Sequence, residues 1–174
     1  MIIESESYVE KQTHDDAIPF SLRPARPEDE PFLFSVYASA RAAEMAAWGW
    51  DAAQQEAFLR MQFNAQHMTY RAQYPDADHQ IIICEDQPVG RIMVDRTERG
   101  ILLVDIALLA ERRNGGIGTA LIQDLQAEAG QAGTRVSLYV LKSNPAAARL
   151  YQRLGFLTTG DDGVYLQMDW AARA

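Results

Sequence analysis

The sequence predicts an α+β fold, a mixed α/β arrangement with one mostly antiparallel sheet of six to seven strands flanked by about four helices. Three observations carry this. Two long helical stretches precede Pro75, strand-like runs separated by tight turns follow it, and a glycine-rich loop then opens an amphipathic helix at Ile117.

Taken in order, the polar and aperiodic residues 1–17 read as a flexible tail, and residues 18–174 as a single domain. Phe20 to Arg23 suits a short first strand, closed by Pro24 and Pro27. Glu28, Asp29 and Glu30 bring acids to the positive first turn of a helix that runs to about Ala47. A second helix starts near Asp51, a plausible cap, and continues to about Gln73; Trp48-Gly49-Trp50 forms the corner between them. After the turn Pro75–Asp78, strands are expected over Gln80–Glu85, Val89–Arg96 and Ile101–Leu109, with turns at Asp86-Gln87-Pro88 and Glu98-Arg99-Gly100. Ile117, Leu121, Leu125 and Ala129 then recur at helical spacing, and Gly130 and Gly133 bracket that helix's end. Val136–Leu141 is the next strand. Asn144-Pro145 opens a short helix, with Asn as cap and Pro at the first helical position, and Gly155 closes it. Asp161-Asp162-Gly163 turns into Val164–Trp170, where Val164, Leu166, Met168 and Trp170 share a face.

Composition narrows the function classes. The 174 residues are 48% hydrophobic and 23% charged, ordinary for a globular chain that buries a core without staples. Cys84 is the single cysteine and lies in an apolar run, so it reads as a small core residue rather than a nucleophile. The start of the chain carries Glu4, Glu6 and Glu10 with neither a basic nor an apolar segment, and no run approaches a membrane span; the expected location is the cytoplasm. Residues 1–90 hold 6 Lys+Arg and 15 Asp+Glu, and residues 91–174 hold 10 and 9. Such a balance disfavours nucleic acid as a partner, which needs a concentrated basic surface. An acidic front half beside a neutral back half suits a cationic substrate meeting an anionic cofactor, and equally suits plain solubility. His14, His67 and His79 lack metal-ligand spacing, so no metal is expected.

The most informative segment is the loop Arg113-Asn114-Gly115-Gly116-Ile117-Gly118-Thr119 between a strand and a helix. A helix start offers free N–H groups and the positive end of a dipole, and glycines let that backbone approach a diphosphate. Arg113 and Thr119 supply further donors. A Walker loop would need Lys then Ser/Thr after its last glycine, whereas Thr119-Ala120 follows here. A dinucleotide fingerprint belongs early in a βαβ unit, and this loop comes late, after a meander.

Arg113, Gly116 and Gly118 fill the spacing Arg-x-x-Gly-x-Gly, and Asn144 to Phe156 supplies Asn, a small-residue turn, Tyr151 and Leu154-Gly155-Phe156. Together these resemble the two cofactor-facing motifs of the GNAT superfamily of N-acetyltransferases, over about residues 20–170. The resemblance implies a GNAT-like sheet in which a splayed strand pair receives the pantetheine arm of acetyl-CoA. It implies that Ile106, Ala107 and Leu108 offer backbone groups to that arm, with the Leu108 N–H polarising the thioester carbonyl. The diphosphate would sit on residues 113–119, and Asn144, Ala147 and Tyr151 would face the cofactor. Tyr151 is the candidate general acid for the departing thiolate, its alternative being a ring packed beneath the cofactor. Asp105, in an apolar run, is the candidate base, its alternative being a structural partner of Arg91 or Arg96. Glu111 is a second candidate.

In that superfamily the corner between the first two helices walls the acceptor site, which here points to Glu44, Trp48, Trp50 and Asp51 for a cationic amine, unless the tryptophans merely pack the corner. The activity implied is acetyl transfer from acetyl-CoA to an amine, and the resemblance makes a homodimer one expected assembly. The same fold without the chemistry would be an acyl-CoA sensor or an interaction domain.

Overall fold

A computed structural model describes residues 19–172; the tail assigned to residues 1–17 lies outside the described residues. The strands β1 (Phe20–Pro24), β2 (Asp78–Cys84), β3 (Gln87–Thr97), β4 (Gly100–Leu108), β5 (Arg135–Leu141), β6 (Leu157–Asp161) and β7 (Tyr165–Ala171) form one sheet in the order β1-β2-β3-β4-β5-β7-β6. Every neighbouring pair is antiparallel except β4 with β5. The helices are α1 (Glu30–Met45), α2 (Ala52–Gln73), α3 (Ile117–Gln131) and α4 (Pro145–Arg153). None of the described helices is long and apolar enough to cross a membrane.

Helix boundaries follow from capping. The Asp51 carboxylate accepts from the Gln54 N–H at 2.9 Å while the Gln54 side chain accepts from the Asp51 N–H, a reciprocal box that starts α2. Asn144 Oδ1 accepts from the Ala147 N–H at 3.2 Å, and Pro145 supplies a first residue with no orphan donor. The helix α1 stops at Met45, two residues before the expected end, and a single tighter turn carries the chain through Trp48 to Gly49.

Alternation in the strands sorts side chains onto two faces. On one face Ile82, Ile92, Val94, Leu103, Val136, Leu138 and Met168 pack against Leu121, Ile122 and Leu125 of α3 and against Tyr151 and Phe156. On the other, Ile81 meets Leu33 and Tyr37 of α1 and Leu59 and Phe63 of α2. Cys84 is buried in the first of these cores. In β5 the buried Val136, Leu138 and Val140 alternate with Tyr139 and Leu141, which remain exposed on the opposite face.

Two expectations change. The turn placed at Asp86-Gln87-Pro88 is instead a two-residue turn at Glu85-Asp86, whose φ angles of 51° and 58° match the primed hairpin turns. Pro88 lies inside β3, opposite Ile83 at the point where the β2–β3 register slips, a place that tolerates a missing N–H. The strand β6 was not foreseen. It is an edge strand with four of its five residues exposed, so no apolar alternation marks it.

Candidate active site

The site begins with a bulge. Met93 opposes Asp105 and Val94 opposes Leu103, so Val104 is an extra residue in β4. Parallel pairing of β4 with β5 runs only through Ile101–Val136, Leu102–Ser137 and Leu103–Leu138, and stops at that bulge. Beyond it the strands diverge and β5 continues alone with β7. The extra residue bends β4 away from its neighbour and opens a wedge in the sheet.

Ladder alternation decides which backbone groups face the wedge. The Leu109 N–H donates to the Val89 carbonyl at 2.9 Å, so the odd residues Ala107 and Asp105 turn their backbone groups toward β3. Ile106 and Leu108 therefore turn theirs toward the wedge. An extended chain entering there would find the ladder of a missing strand. Of the three residues expected to supply these groups, Ala107 is the one whose N–H and C=O are engaged on the β3 side.

The head of α3 lies after the end of β4. Gly116 takes φ +86°, a left-handed conformation that only glycine adopts readily, and it turns the chain into the helix. The first helical bond runs from the Ala120 N–H to the Gly116 carbonyl at 2.9 Å. The amides of residues 115–119 have no acceptor among the described residues, and no side chain caps the helix. A Cβ added at Gly116 or Gly118 would meet nothing within 4 Å. Free donors, a positive dipole end and open space make a seat for an anion. The Arg113 Nε donates to the Leu108 carbonyl at 3.0 Å and its guanidinium reaches Ser39 Oγ at 3.4 Å, tying the end of β4 to α1.

Tyr151 lies on α4 and belongs to the core that also holds Leu103 of β4 and Leu138 of β5. It is only 8% exposed and packs on Phe156 at 5.8 Å between ring centroids. Burial pushes its pKa up to about 12, and the charge of Asp105 adds to the rise. The phenol thus keeps its proton at any physiological pH, and Asp105 lies near enough to be felt. Asn144 spends its carbonyl oxygen on the α4 cap, and Ala147 packs against the core beside it.

Asp105 has the structural partner foreseen as its alternative role. Its Oδ2 is 2.7 Å from Nε of Arg91, which is 5% exposed and donates through another nitrogen to Gln66 Oε1 at 2.8 Å. The contact is a charge pair rather than an aligned hydrogen bond, since neither atom gains a hydrogen-bond partner from it. The pair borders a cavity of about 560 Å³ between α2 and the sheet, lined also by His67, Tyr70, Tyr74 and His79. Burial, aided by Arg91, holds His79 below the ordinary histidine value.

The helix corner gathers some of the residues proposed for the acceptor. Trp48, Trp50 and Phe58 meet edge to face with centroids 5.1–5.5 Å apart, and both indoles remain exposed at the surface. Glu44 and Trp48 line a second cavity of about 350 Å³ with Tyr37, Arg41 and Gln66. Trp50 does not line it, and the Asp51 carboxylate is used in the α2 cap. Neither Asp105 nor Tyr151 borders it. Sequence reasoning passed over Gln66, Ser39, Tyr139 and Tyr165. The one available signal was Tyr139 standing out of phase with Val136, Leu138 and Val140.

A model of the acetyltransferase (GNAT) family matches residues 40–156, and the chain belongs to that family. Among solved structures it is similar to the PaiA N-acetyltransferase from Thermoplasma acidophilum in complex with coenzyme A, with 19% identity, a TM-score of 0.67, and 88% of this chain and 99% of that one covered. It is also similar to an acetyltransferase from Thermus thermophilus, with 20% identity, a TM-score of 0.63, and 88% and 97% covered. A third is the ribosomal-protein-S18-alanine N-acetyltransferase from Escherichia coli, with 19% identity, a TM-score of 0.60, and 89% and 96% covered. At such identities the likeness is one of fold. No curated protein matches the sequence significantly.

Proposed function

We propose that the protein is an acetyl-CoA-dependent N-acetyltransferase that moves an acetyl group directly from the thioester to an amine. The observation that carries this reading is the join of two features at one place: the β4–β5 wedge and the uncapped head of α3. The wedge suits the extended pantetheine arm, and the free amides of residues 115–119 suit the diphosphate. That the PaiA N-acetyltransferase, of the same fold, holds coenzyme A supports the assignment.

In this reading the amine arrives as an ammonium and loses one proton to solvent. The neutral nitrogen attacks the acetyl carbon, forming the C–N bond, and the Leu108 N–H donates to the oxygen that takes up the electron pair. Collapse breaks the C–S bond, the thiolate takes the Tyr151 proton, and the nitrogen releases its second proton to water. Tyr151 recovers a proton from solvent, leaving an amide, a free thiol and one net proton. We assign water rather than Asp105 as the proton's acceptor, because the carboxylate is committed to Arg91.

Thiol release from acetyl-CoA in the presence of a panel of amines tests the reading. Amine-dependent release is the expected outcome. Coenzyme A binding by calorimetry with no transfer to any amine would leave the acyl-CoA sensor as the better description.

A further inference from the structure

One face of β5 and β7 is left open to solvent. Helices α3 and α4 cover one face of β5 and β7, but on the other face Tyr139 is 54% exposed, Tyr165 41% and Leu141 38%. These residues adjoin the wedge: Tyr139 follows the last β5 residue paired with β4, and Leu141 stands opposite Tyr165 across the β5–β7 ladder. On that side of the sheet α2 carries Tyr70 and ends at Tyr74, whose rings meet at 6.3 Å, and Gln66 donates to the Tyr70 hydroxyl at 3.3 Å. Tyr70 and Tyr74 line the cavity between α2 and the sheet together with Arg91 and Asp105. Tyr139 lies on that same face, because its neighbours Leu138 and Val140 point into the core on the α3 side. Aromatic rings thus flank the opening, and Asp105, with a side chain 20% exposed, lies within their reach.

We propose that this tyrosine-flanked cleft is the acceptor site, and that it takes a primary amine carried on an aromatic or apolar body, with the ammonium directed toward Asp105. The inference rests on the acetyl-transfer reading and supplies its substrate class; the C–N and C–S bond changes and the proton balance are those given above. Rings of Tyr70, Tyr74, Tyr139 and Tyr165 offer π faces to a cation and apolar area to the body behind it. A polycation is the poorer fit, because Arg91 offsets the charge of Asp105 and the rings make up the larger part of this surface. The Trp48 cavity is a poorer candidate: Gln66 lies in its wall and the Gln66–Arg91–Asp105 chain stands between it and the wedge.

The test is steady-state kinetics with acetyl-CoA and 2-phenylethylamine, spermidine or a lysine-containing peptide, using the wild type, Tyr139→Ala and Tyr165→Ala. Both tyrosines are exposed, so neither substitution disturbs a core. The expected result is a kcat/KM for 2-phenylethylamine at least about tenfold above that for spermidine or the peptide. Each alanine variant should raise the KM for 2-phenylethylamine by about tenfold and leave the KM for acetyl-CoA within about twofold. Preference for spermidine or the peptide, or an amine KM unmoved in both variants, overturns the proposal. Calorimetry separates the two levels of failure. Coenzyme A binding with these kinetic results sinks the acceptor site alone, whereas no binding sinks the enzyme reading with it.

Discussion

Replacing Gly118 with alanine should separate folding from binding. Gly118 is the second residue of α3, and its φ is not in the left-handed region. Its added methyl would meet nothing within 4 Å outside the helix's own neighbouring backbone. Alanine exceeds glycine in helix propensity by about 1 kcal/mol in a helix interior and by a fraction of that in a first turn, so the fold should be unharmed or slightly more stable. A helical Cβ leans toward the helix N-terminus, which here is the space in front of the free amides. A methyl there displaces an oxygen that must come within about 3 Å of an N–H to bond it. Losing one charge-assisted bond of about 1.5–3 kcal/mol weakens coenzyme A binding by about tenfold to a hundredfold. Thermal melts read the first effect and calorimetric titration the second. A Kd for coenzyme A within about twofold of wild type would refute the reasoning. Gly116→Ala is the contrasting case, since φ +86° makes alanine strained by about 1 kcal/mol and both readouts should fall.

Tyr151→Phe should lower kcat by about a hundredfold under conditions where chemistry is rate-limiting, with the Kd for coenzyme A little changed. The same substitution carries a stability signature. Because the folded pKa of about 12 exceeds the unfolded 10, the phenol's contribution is complete below pH 10 and is lost as pH climbs toward 12. At pH 11 the wild type should have lost about 1.4 kcal/mol more than Tyr151→Phe, read by denaturant titration at pH 8 and pH 11. Asp105→Ala leaves Arg91 buried without its counter-charge and should destabilise by about 3 kcal/mol, and Arg91→Met in the same chain should recover much of that in urea unfolding. In Gly90→Ala the new methyl would press on the Ala107 carbonyl and the Leu108 side chain, pushing β4 at the wedge. A loss of about 1–3 kcal/mol in melts, with a raised KM for acetyl-CoA, is expected.

Local chemistry made much of this legible in the sequence. Asp51 and Asn144 are caps whose roles follow from residue type and spacing, and both α2 and α4 begin where these residues place them. The glycine loop was equally readable, because bare backbone at a helix start has a specific physical use. Long-range pairing was not. That β4 and β5 are parallel neighbours, and part at Val104, depends on a bulge that no local pattern encodes. Arg113 reads as an anion ligand from its place in the motif, yet its guanidinium is held by the Leu108 carbonyl and Ser39, contacts set by how α1 docks on the end of β4. The tryptophan corner drew attention because large aromatics are conspicuous in a sequence. Tyr70 and Tyr74 come from α2 and its end, Tyr139 and Tyr165 from β5 and β7, and only the fold sets such distant positions on one side of the sheet.

Amide-resolved NMR during titration with coenzyme A tests the central claim most directly. The account predicts saturable shifts concentrated at residues 115–119, with Ile106 and Leu108 moving as the wedge fills. Saturable binding that leaves those amides unmoved, or no binding at all, would contradict it.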